Sequence, residues 1–273
     1  MRHDGADLVL TRRLARVLGE PHAGADGRHR DEPSPFTDGD LVGAVSAVCV
    51  VERLRPDCGE PGVSAIHKAA VEGPAAVNSL GLLGDQQADR AHHGGLDKAL
   101  YVMDAAEARH WAGVLAPERE LAAGNLGENM LIEPSASGGV DDVEIGAVLS
   151  IGPAGGAGEP AEEGRGILVR VTGVRNPCPT FARGLGRGDW VEVFSERARV
   201  GVYLSVLRDG SVAAGDEVRL VSNPGHRVTC HRWFAHHDPR DAQAMLASEA
   251  FGNLRLAAFT RKYVTAAADE QVG

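Results

Sequence analysis

Leu41-Val-Gly-Ala-Val-Ser-Ala-Val-Cys-Val-Val51 is almost continuously apolar, and five of its eleven residues are valine. Valine favours strands because its branched side chain packs well on a pleated surface. An apolar run without alternation is typical of a strand that is buried on both faces. We therefore expect the folded core of this 273-residue chain to begin at Leu41.

The sequence before this strand has a different character. Residues 1–40 are rich in glycine, histidine, aspartate and proline, apart from residues 8–18, whose spacing fits one short amphipathic helix. Segments this polar bury too little apolar surface to offset the entropy that ordering them costs. We expect residues 1–40 to be a disordered or weakly structured extension, and residues 1–38 to be dispensable for folding.

Short apolar segments follow the first strand, separated by turn residues. Strands are predicted at residues 71–80, 145–151, 167–174 and 217–221, and residues 200–207 fit either a strand or a short helix. Many short strands with interleaved turns are typical of a barrel or a rolled mixed sheet. We expect a mixed α/β, β-rich domain over residues 41–222 that contains few helices.

Two regions have helical signals. Asp104 as N-cap and Glu107 three residues later fit a capping box, and Pro117 marks the end of that helix. Residues 226–265 change character again, because Asp238-Pro239 fits an N-cap followed by proline in the first helical turn. We expect residues 226–265 to form a small C-terminal domain of three helices.

Composition excludes several classes of protein. The formal net charge is -10, from 38 acidic and 28 basic residues, which argues against nucleic acid and anionic lipid as partners. No apolar run approaches the roughly 20 residues that a membrane span requires, and the N-terminus lacks a signal-peptide core. Four widely spaced cysteines do not form a disulfide framework. We expect a soluble cytoplasmic protein with reduced thiols and no membrane partner.

The most unusual segment runs from Gly84 to Tyr101 and places polar residues and glycines between two apolar stretches. Glycines let a backbone approach a ligand closely and expose N–H groups to an anion. An alternative is that this segment binds a metal ion, as in a divalent-metal hydrolase. The ligands would then be the side chains of Asp89, His92, His93 and Asp97. They equally fit a well-ordered turn in which aspartate and histidine cap backbone groups. The residues alone leave these three interpretations open.

A second notable segment is Arg175-Asn176-Pro177-Cys178-Pro179, directly after the predicted strand 167–174. The two prolines fix the backbone on both sides of Cys178, so the thiol is held in one direction. The charge of Arg175 favours a thiolate, and thiolates bind soft metal centres. A buried cysteine in a loop at the end of a strand is an equally good interpretation.

Taken together and in this order, these segments resemble the MOSC domain, named for the C-terminal domain of molybdenum-cofactor sulfurase. The resemblance is closest to bacterial MOSC proteins that reduce N-hydroxylated purine analogues. The matching residues are Gly84-Asp85-Gln86-Gln87-Ala88-Asp89, His93-Gly94-Gly95-Leu96-Asp97-Lys98-Ala99, Gly127-Glu128-Asn129, Arg175-Asn176-Pro177-Cys178, Gly201-Val202-Tyr203-Leu204 and Gly215-Asp216. The chain departs from the family pattern after the cysteine, where it carries Pro179-Thr180-Phe181.

The resemblance implies a MOSC-type β-barrel that binds the molybdenum cofactor, a molybdopterin. It also implies that Cys178 is the metal ligand and a catalytic residue. Lys98, Asn129 and Arg175 are the residues that we expect to bind the cofactor, and Asp89, His93 and Asp97 are candidates for proton delivery, hence also catalytic.

The function that this resemblance implies is the reduction of a small N-hydroxylated substrate, of the N-hydroxylaminopurine type, to an amine. The sequence has no visible flavin, nicotinamide or iron–sulfur motif, so we expect a separate electron-donor reductase as partner. A homodimer is one option for the assembly. The alternative function is a non-catalytic carrier that holds the cofactor, or sulfur on Cys178, and passes it on.

Overall fold

The computed structural model of this protein describes residues 33–59, 61–88, 94–115, 120–154 and 165–270. Most of the predicted extension lies outside these residues. So do residues 89–93 of the polar Gly84–Tyr101 segment, which include Asp89, His92 and His93.

The strands of the described residues are numbered along the chain. They are β1 Leu41–Val51, β2 Arg55–Pro56, β3 Val63–Ser64, β4 Lys68–Ala70, β5 Ala75–Asn78, β6 Gly81–Leu82, β7 Leu100–Asp104, β8 Met130–Pro134, β9 Val148–Gly152, β10 Ile167–Val174, β11 Val202–Arg208, β12 Gly210–Val212 and β13 Glu217–Ser222.

Seven of these strands form a closed barrel. Their order around the barrel is β1, β8, β7, β11, β10, β9 and β13, and β13 pairs back with β1. Neighbours are antiparallel except β7 and β8, which are parallel. Closure leaves no free edge among these seven strands, which satisfies the backbone hydrogen bonds of the sheet. The predicted MOSC-type barrel is confirmed.

The apolar strand β1 closes the barrel because it pairs with two strands of the ring at once. Ala44 lies opposite Glu217 of β13 on one side and opposite Glu133 of β8 on the other. A Cβ atom added at Gly43 would overlap with the carbonyl oxygen of Glu133, so this position requires glycine. Burial on both faces is limited to parts of the strand, since Leu41 and Ser46 are exposed.

The barrel interior is filled with aliphatic side chains, which is where most of the stabilising apolar burial lies. Fully buried examples are Val45, Leu100, Met130, Ile132, Leu149, Ile167, Val169, Val171 and Leu220.

Six α-helices of at least seven residues lie in the described residues. They are α1 Ala105–Leu115, α2 Pro179–Leu185, α3 Trp190–Arg197, α4 Cys230–His236, α5 Pro239–Ala250 and α6 Ala258–Asp269. The first three share an aromatic cluster of Trp111, Phe181, Trp190 and Phe194, whose ring centroids lie 4.9 to 5.5 Å apart. This cluster fixes α2, and with it the residue that precedes α2, against the barrel.

Several local predictions require correction. Asp104 and Glu107 flank the start of α1, but their carboxylates serve tertiary contacts: Asp104 accepts the Val140 N–H (3.0 Å) and Glu107 pairs with Arg197 (2.7 Å). A predicted strand over residues 71–80 is instead the short β5, β6 hairpin, because Gly73-Pro74 turns the chain.

Two further strand boundaries shift. The strand predicted from Ile145 begins at Val148, because Gly146 adopts a positive φ of 96° that ends regular pairing. The ambiguous segment 200–207 is a strand, β11, paired on both sides within the barrel.

Residues 33–40, which the sequence assigns to the extension, pack on the barrel. Phe36 is 3% exposed, and its carbonyl oxygen accepts a hydrogen bond from Asn223 (3.1 Å). Ser34 donates to the carbonyl oxygen of Asp142 (3.0 Å). Apolar burial therefore begins before β1, at Phe36.

Helices α4 to α6, over residues 230–269, are called here the C-terminal helical unit. An ion pair between Arg232 and Asp241 joins α4 to α5 (2.7 Å), and Thr229 caps α4 by accepting the Arg232 N–H. Phe234, Met245 and Val264 are buried within the unit or against the barrel. Among the described residues no helix is both long enough and apolar enough to cross a bilayer.

Candidate functional site

A pocket lies beside strands β7 and β11 and contains about 760 Å³ of empty space, part of it open to solvent. Its walls come from the loops that follow β2, β6 and β10 and from strands β7 and β11. The polar lining residues are Ser64, Lys68, Asp85, Gln86, Gln87, Lys98, Tyr101, Asn129, Arg175, Cys178, Thr180 and Tyr203. Four of the residues that the sequence singles out, far apart in the chain, meet here: Lys98, Asn129, Arg175 and Cys178.

Cys178 is the half-buried thiol of this pocket and lies between β10 and α2. Its carbonyl oxygen accepts the N–H groups of Phe181 (3.0 Å) and Ala182 (3.2 Å), which fixes its backbone at the start of the helix. The two buried cysteines have raised pKa values: burial raises the pKa of Cys49 to about 12 and that of Cys230 well above the usual value. Thiols with such pKa values stay protonated and inert at neutral pH.

Arg175 is 5% exposed and is held by contacts on several sides. One guanidinium nitrogen donates to the carbonyl oxygen of Leu126 (2.7 Å). The guanidinium lies over the rings of Tyr101 (4.6 Å) and Phe181 (3.8 Å). A planar cation stacked on aromatic rings keeps one orientation and remains charged. Arg175 is thus a fixed positive charge in the pocket wall.

Glu128 stabilises the loop whose Leu126 carbonyl oxygen binds Arg175. Its buried carboxylate accepts the N–H groups of Gly124 and Leu126, and so shapes the loop whose carbonyl holds Arg175. Burial raises the pKa of Glu128 to about 7. Glu128 therefore stabilises the loop that holds the arginine.

Lys98 supplies the second positive charge of the pocket among the predicted residues. Its Nζ atom lies 5.3 Å from the ring centroid of Tyr203 and 4.4 Å from that of Phe259. The loop that carries it is closed by Gln87, which donates to the carbonyl oxygen of Lys98 (3.3 Å) and accepts the N–H of Gly95 (2.8 Å). The described part of the polar segment that carries Lys98 is therefore an ordered turn, which is one of the three interpretations of its sequence.

Asn129 lines the pocket, but its side-chain amide is hydrogen-bonded to other groups of the protein. The amide oxygen accepts the Tyr101 N–H (3.0 Å), and the amide nitrogen donates to Asp85 (2.7 Å) and to the Cys49 carbonyl oxygen (3.3 Å). Asp85 also forms a buried ion pair with Lys68. The expected part of Asn129 in cofactor binding stays a prediction; in the structure its side chain joins β1, β7 and the Asp85 loop.

Of the three predicted proton donors, the structure describes only Asp97, which does not line the pocket. Asp97 turns away from it, and its carboxylate lies 3.3 Å from the guanidinium of Arg255 in the C-terminal helical unit. A direct catalytic role for Asp97 does not fit this position. Asp89 and His93 lie outside the described residues. No group of three histidine, cysteine or carboxylate side chains suited to a metal ion occurs in the described part of the chain.

Sequence reasoning missed Lys68, Tyr101 and Tyr203. Their scarcity was the available signal, because the chain has only three lysines and three tyrosines, and two of each line this pocket. Tyr101 and Tyr203 lie directly opposite each other on β7 and β11, with ring centroids 5.6 Å apart. Clustering of rare polar residues in a mainly acidic protein gives the pocket a basic and aromatic lining.

Comparison with known proteins adds sequence relatives. Residues 89–219 match the family described as MOSC domain. Protein YiiM of Escherichia coli is 30% identical over 160 residues, which cover 58% of this chain and 64% of YiiM, less than two thirds of its length. Protein YflK of Bacillus subtilis is 29% identical over 184 residues, or 66% of this chain and 75% of YflK. A protein named Reductase from Gibberella moniliformis is 26% identical over 59% of this chain and 26% of its own length.

Solved structures agree on the fold. YiiM from Geobacillus stearothermophilus superimposes with a TM-score of 0.56 at 21% identity, over 84% of this chain and 98% of that protein. YiiM from Escherichia coli gives a TM-score of 0.57 at 19% identity, over 84% and 95% of the two chains. Likeness at this level of identity shows a common architecture.

Proposed function

Because this chain belongs to the MOSC domain family, we propose that it is an oxidoreductase that binds the molybdenum cofactor and reduces N-hydroxylated compounds to amines. The observation that carries the proposal is the convergence of Cys178, Arg175 and Lys98 on one pocket. The relative named Reductase is consistent with a redox role for the shared region.

The residues of the pocket fit the cofactor by their chemistry. A pterin phosphate requires cationic donors, which Lys98 and Arg175 provide. A molybdenum centre requires a soft ligand, and Cys178 is the thiol that lines the pocket. Tyr101 and Tyr203 line the same pocket, and each has one of these cations over its ring.

The proposed reaction converts R–NHOH, two electrons and two protons into R–NH₂ and water. When bound, the molybdenum centre supplies the two-electron chemistry. The chain's own residues bind and orient: Arg175 stays charged and fixed, Lys98 neutralises an anion, and Asp85 holds Lys68 in place. The electrons come from a separate reductase. On the sequence pattern alone, proton delivery is assigned to Asp89 and His93.

The test begins with expression in a host that makes the cofactor. We expect about one molybdenum and one pterin per polypeptide, together with reduction of N-hydroxylaminopurine by an artificial electron donor. Lys98→Ala should lower the pterin content several-fold. Lys262→Ala is the matched control, because it removes an exposed lysine on α6 and should leave occupancy unchanged.

The other outcomes discriminate between functions. Bound molybdenum without turnover would favour the carrier that holds and transfers cofactor or sulfur. Stoichiometric zinc or manganese in place of molybdenum would overturn the proposal and favour a metal hydrolase.

A further inference from the structure

The C-terminal helical unit reaches the pocket through Phe259, the second residue of α6. The ring centroid of Phe259 lies 4.4 Å from the Lys98 Nζ atom, and the ring packs edge-on against Tyr203 with centroids 6.0 Å apart. Tyr203 contacts the same ammonium at 5.3 Å. Lys98 is thus held by two rings, one from the barrel and one from the helical unit.

The position of Phe259 is built into the contact between α6 and β10. Thr260, which is 3% exposed, donates from its hydroxyl to the Thr172 carbonyl oxygen (2.6 Å). A Cβ atom added at Gly173 would overlap with the Thr260 hydroxyl and come within 2.9 Å of the Phe259 ring. Glycine at this point of β10 therefore lets α6 approach closely enough for Phe259 to reach Lys98.

The same unit contacts the turn that carries Lys98. Arg255, which precedes α6, forms an ion pair with Asp97 (3.3 Å), the neighbour of Lys98. The Thr172 hydroxyl donates to the Asp97 carbonyl oxygen (2.6 Å), so one β10 residue connects the Lys98 turn to α6. Two neighbouring residues of this turn are therefore held from the helical unit.

We propose that Phe259 is a positioning residue of the pocket, which holds the Lys98 ammonium in place to neutralise a phosphate group. The C-terminal helical unit then contributes a residue to the binding site. The phosphate as ligand rests on the proposed function, whereas the effect of Phe259 on Lys98 does not. An aromatic face attracts an ammonium electrostatically, and an aliphatic side chain of similar size does not.

The experiment uses the full chain in four forms: wild type, Phe259→Leu, Phe259→Tyr and Phe251→Ala. Leucine keeps apolar packing without a ring, and tyrosine restores the ring. Phe251→Ala removes an 82% exposed phenylalanine from the same helical unit as a control. Each form is labelled with ¹³C-lysine, and three lysines give three resolved Cε–Hε signals, assigned with Lys→Arg variants.

Ring currents from Phe259 should shift the Lys98 Hε signals away from the positions of an exposed lysine. This shift should fall in Phe259→Leu and persist in Phe259→Tyr and Phe251→Ala. Titration with inorganic phosphate should give a Kd raised about threefold to tenfold in Phe259→Leu only, the range that loss of a cation–π contact predicts.

An unchanged Lys98 signal in folded Phe259→Leu would overturn the inference, and so would a Phe259→Tyr signal that matches Phe259→Leu. The NMR readout needs no cofactor. A wild-type protein that binds neither phosphate nor pterin would therefore refute the proposed function, while the Lys98 signal still decides the role of Phe259.

Discussion

The guanidinium carbon of Arg175 lies 3.8 Å from the ring centroid of Phe181, a residue of the helix that begins directly after Cys178. The chain therefore turns at Cys178 so that its own next helix covers the arginine that precedes the thiol. Tyr101 contacts the same guanidinium (4.6 Å). Phe181 stands where the sequence departs from the family pattern, and its role in the fold is to hold Arg175.

Cys178→Ser should fold normally and lose turnover of N-hydroxylaminopurine by about two or more orders of magnitude per bound cofactor. Serine oxygen is harder and less polarizable than a thiolate, so it is a poor substitute on a soft metal centre. Cys58→Ser, at an exposed cysteine, is the control and should keep its rate. Turnover near that of wild type in Cys178→Ser would remove the ligand assignment.

Asp85→Asn should lower the free energy of unfolding by about 3 kcal/mol. The substitution leaves the Lys68 ammonium buried without its carboxylate, since both side chains are only 8% exposed. Glu133→Gln breaks an exposed pair with Arg109 and should cost less than about 1 kcal/mol. Urea unfolding of the two variants measures both values, and equal losses would contradict the importance of burial.

The contribution of His226 to the stability of the protein should fall as the pH drops from 6.5 towards 4. Burial lowers the pKa of His226 to about 4, below the ordinary value of 6.5 that applies in the unfolded chain. Above pH 6.5 the stability that neutral His226 contributes is fully present. Below pH 6.5 the histidine becomes protonated in the unfolded chain but stays neutral in the folded protein, so this stability is lost. Such a pKa difference corresponds to roughly 3 kcal/mol.

Geometry supports the neutral form of His226. Its Nδ1 atom accepts the Val228 N–H (3.1 Å), so a proton there would break that bond, although Glu144 lies 3.7 Å away. Its Nε2 atom lies 2.7 Å from the Ile145 carbonyl oxygen. An NMR titration of His226 checks the pKa, and a midpoint near 6.5 in the folded protein would contradict the prediction. The free energy of unfolding of wild type relative to that of His226→Gln should fall as the pH drops below 6.5.

A chain that starts at Pro33 should keep its melting temperature within a few degrees, whereas one that starts at Asp40 should not. The longer deletion removes Phe36, and replacing a buried phenylalanine with alanine typically costs about 3 to 5 kcal/mol. Phe36→Ala in the full chain should reproduce most of the loss. Equal melting temperatures for both deletions would show that Phe36 contributes little.

The amino-acid sequence alone indicated a β-rich domain, either a barrel or a rolled sheet, and singled out Cys178 between two prolines. The apolar valine-rich strand had to be buried, and short strands between glycine turns close most simply into a ring. Proline on both sides of Cys178 acts locally, so its effect is visible in the sequence. The helical signal at Asp238-Pro239 is local as well, and α5 begins there, with Asp238 accepting the Arg240 N–H.

Only the tertiary structure decided which polar side chains face the pocket. Asn129 and Asp97 both belong to matching motifs. The Asn129 amide is hydrogen-bonded to Asp85 and Tyr101, and the Asp97 carboxylate pairs with Arg255, 158 positions along the chain. Phe259 likewise reaches Lys98 only because α6 packs on β10. A side chain's direction in a loop depends on partners that are distant in sequence, and local propensity and spacing carry no information about those partners.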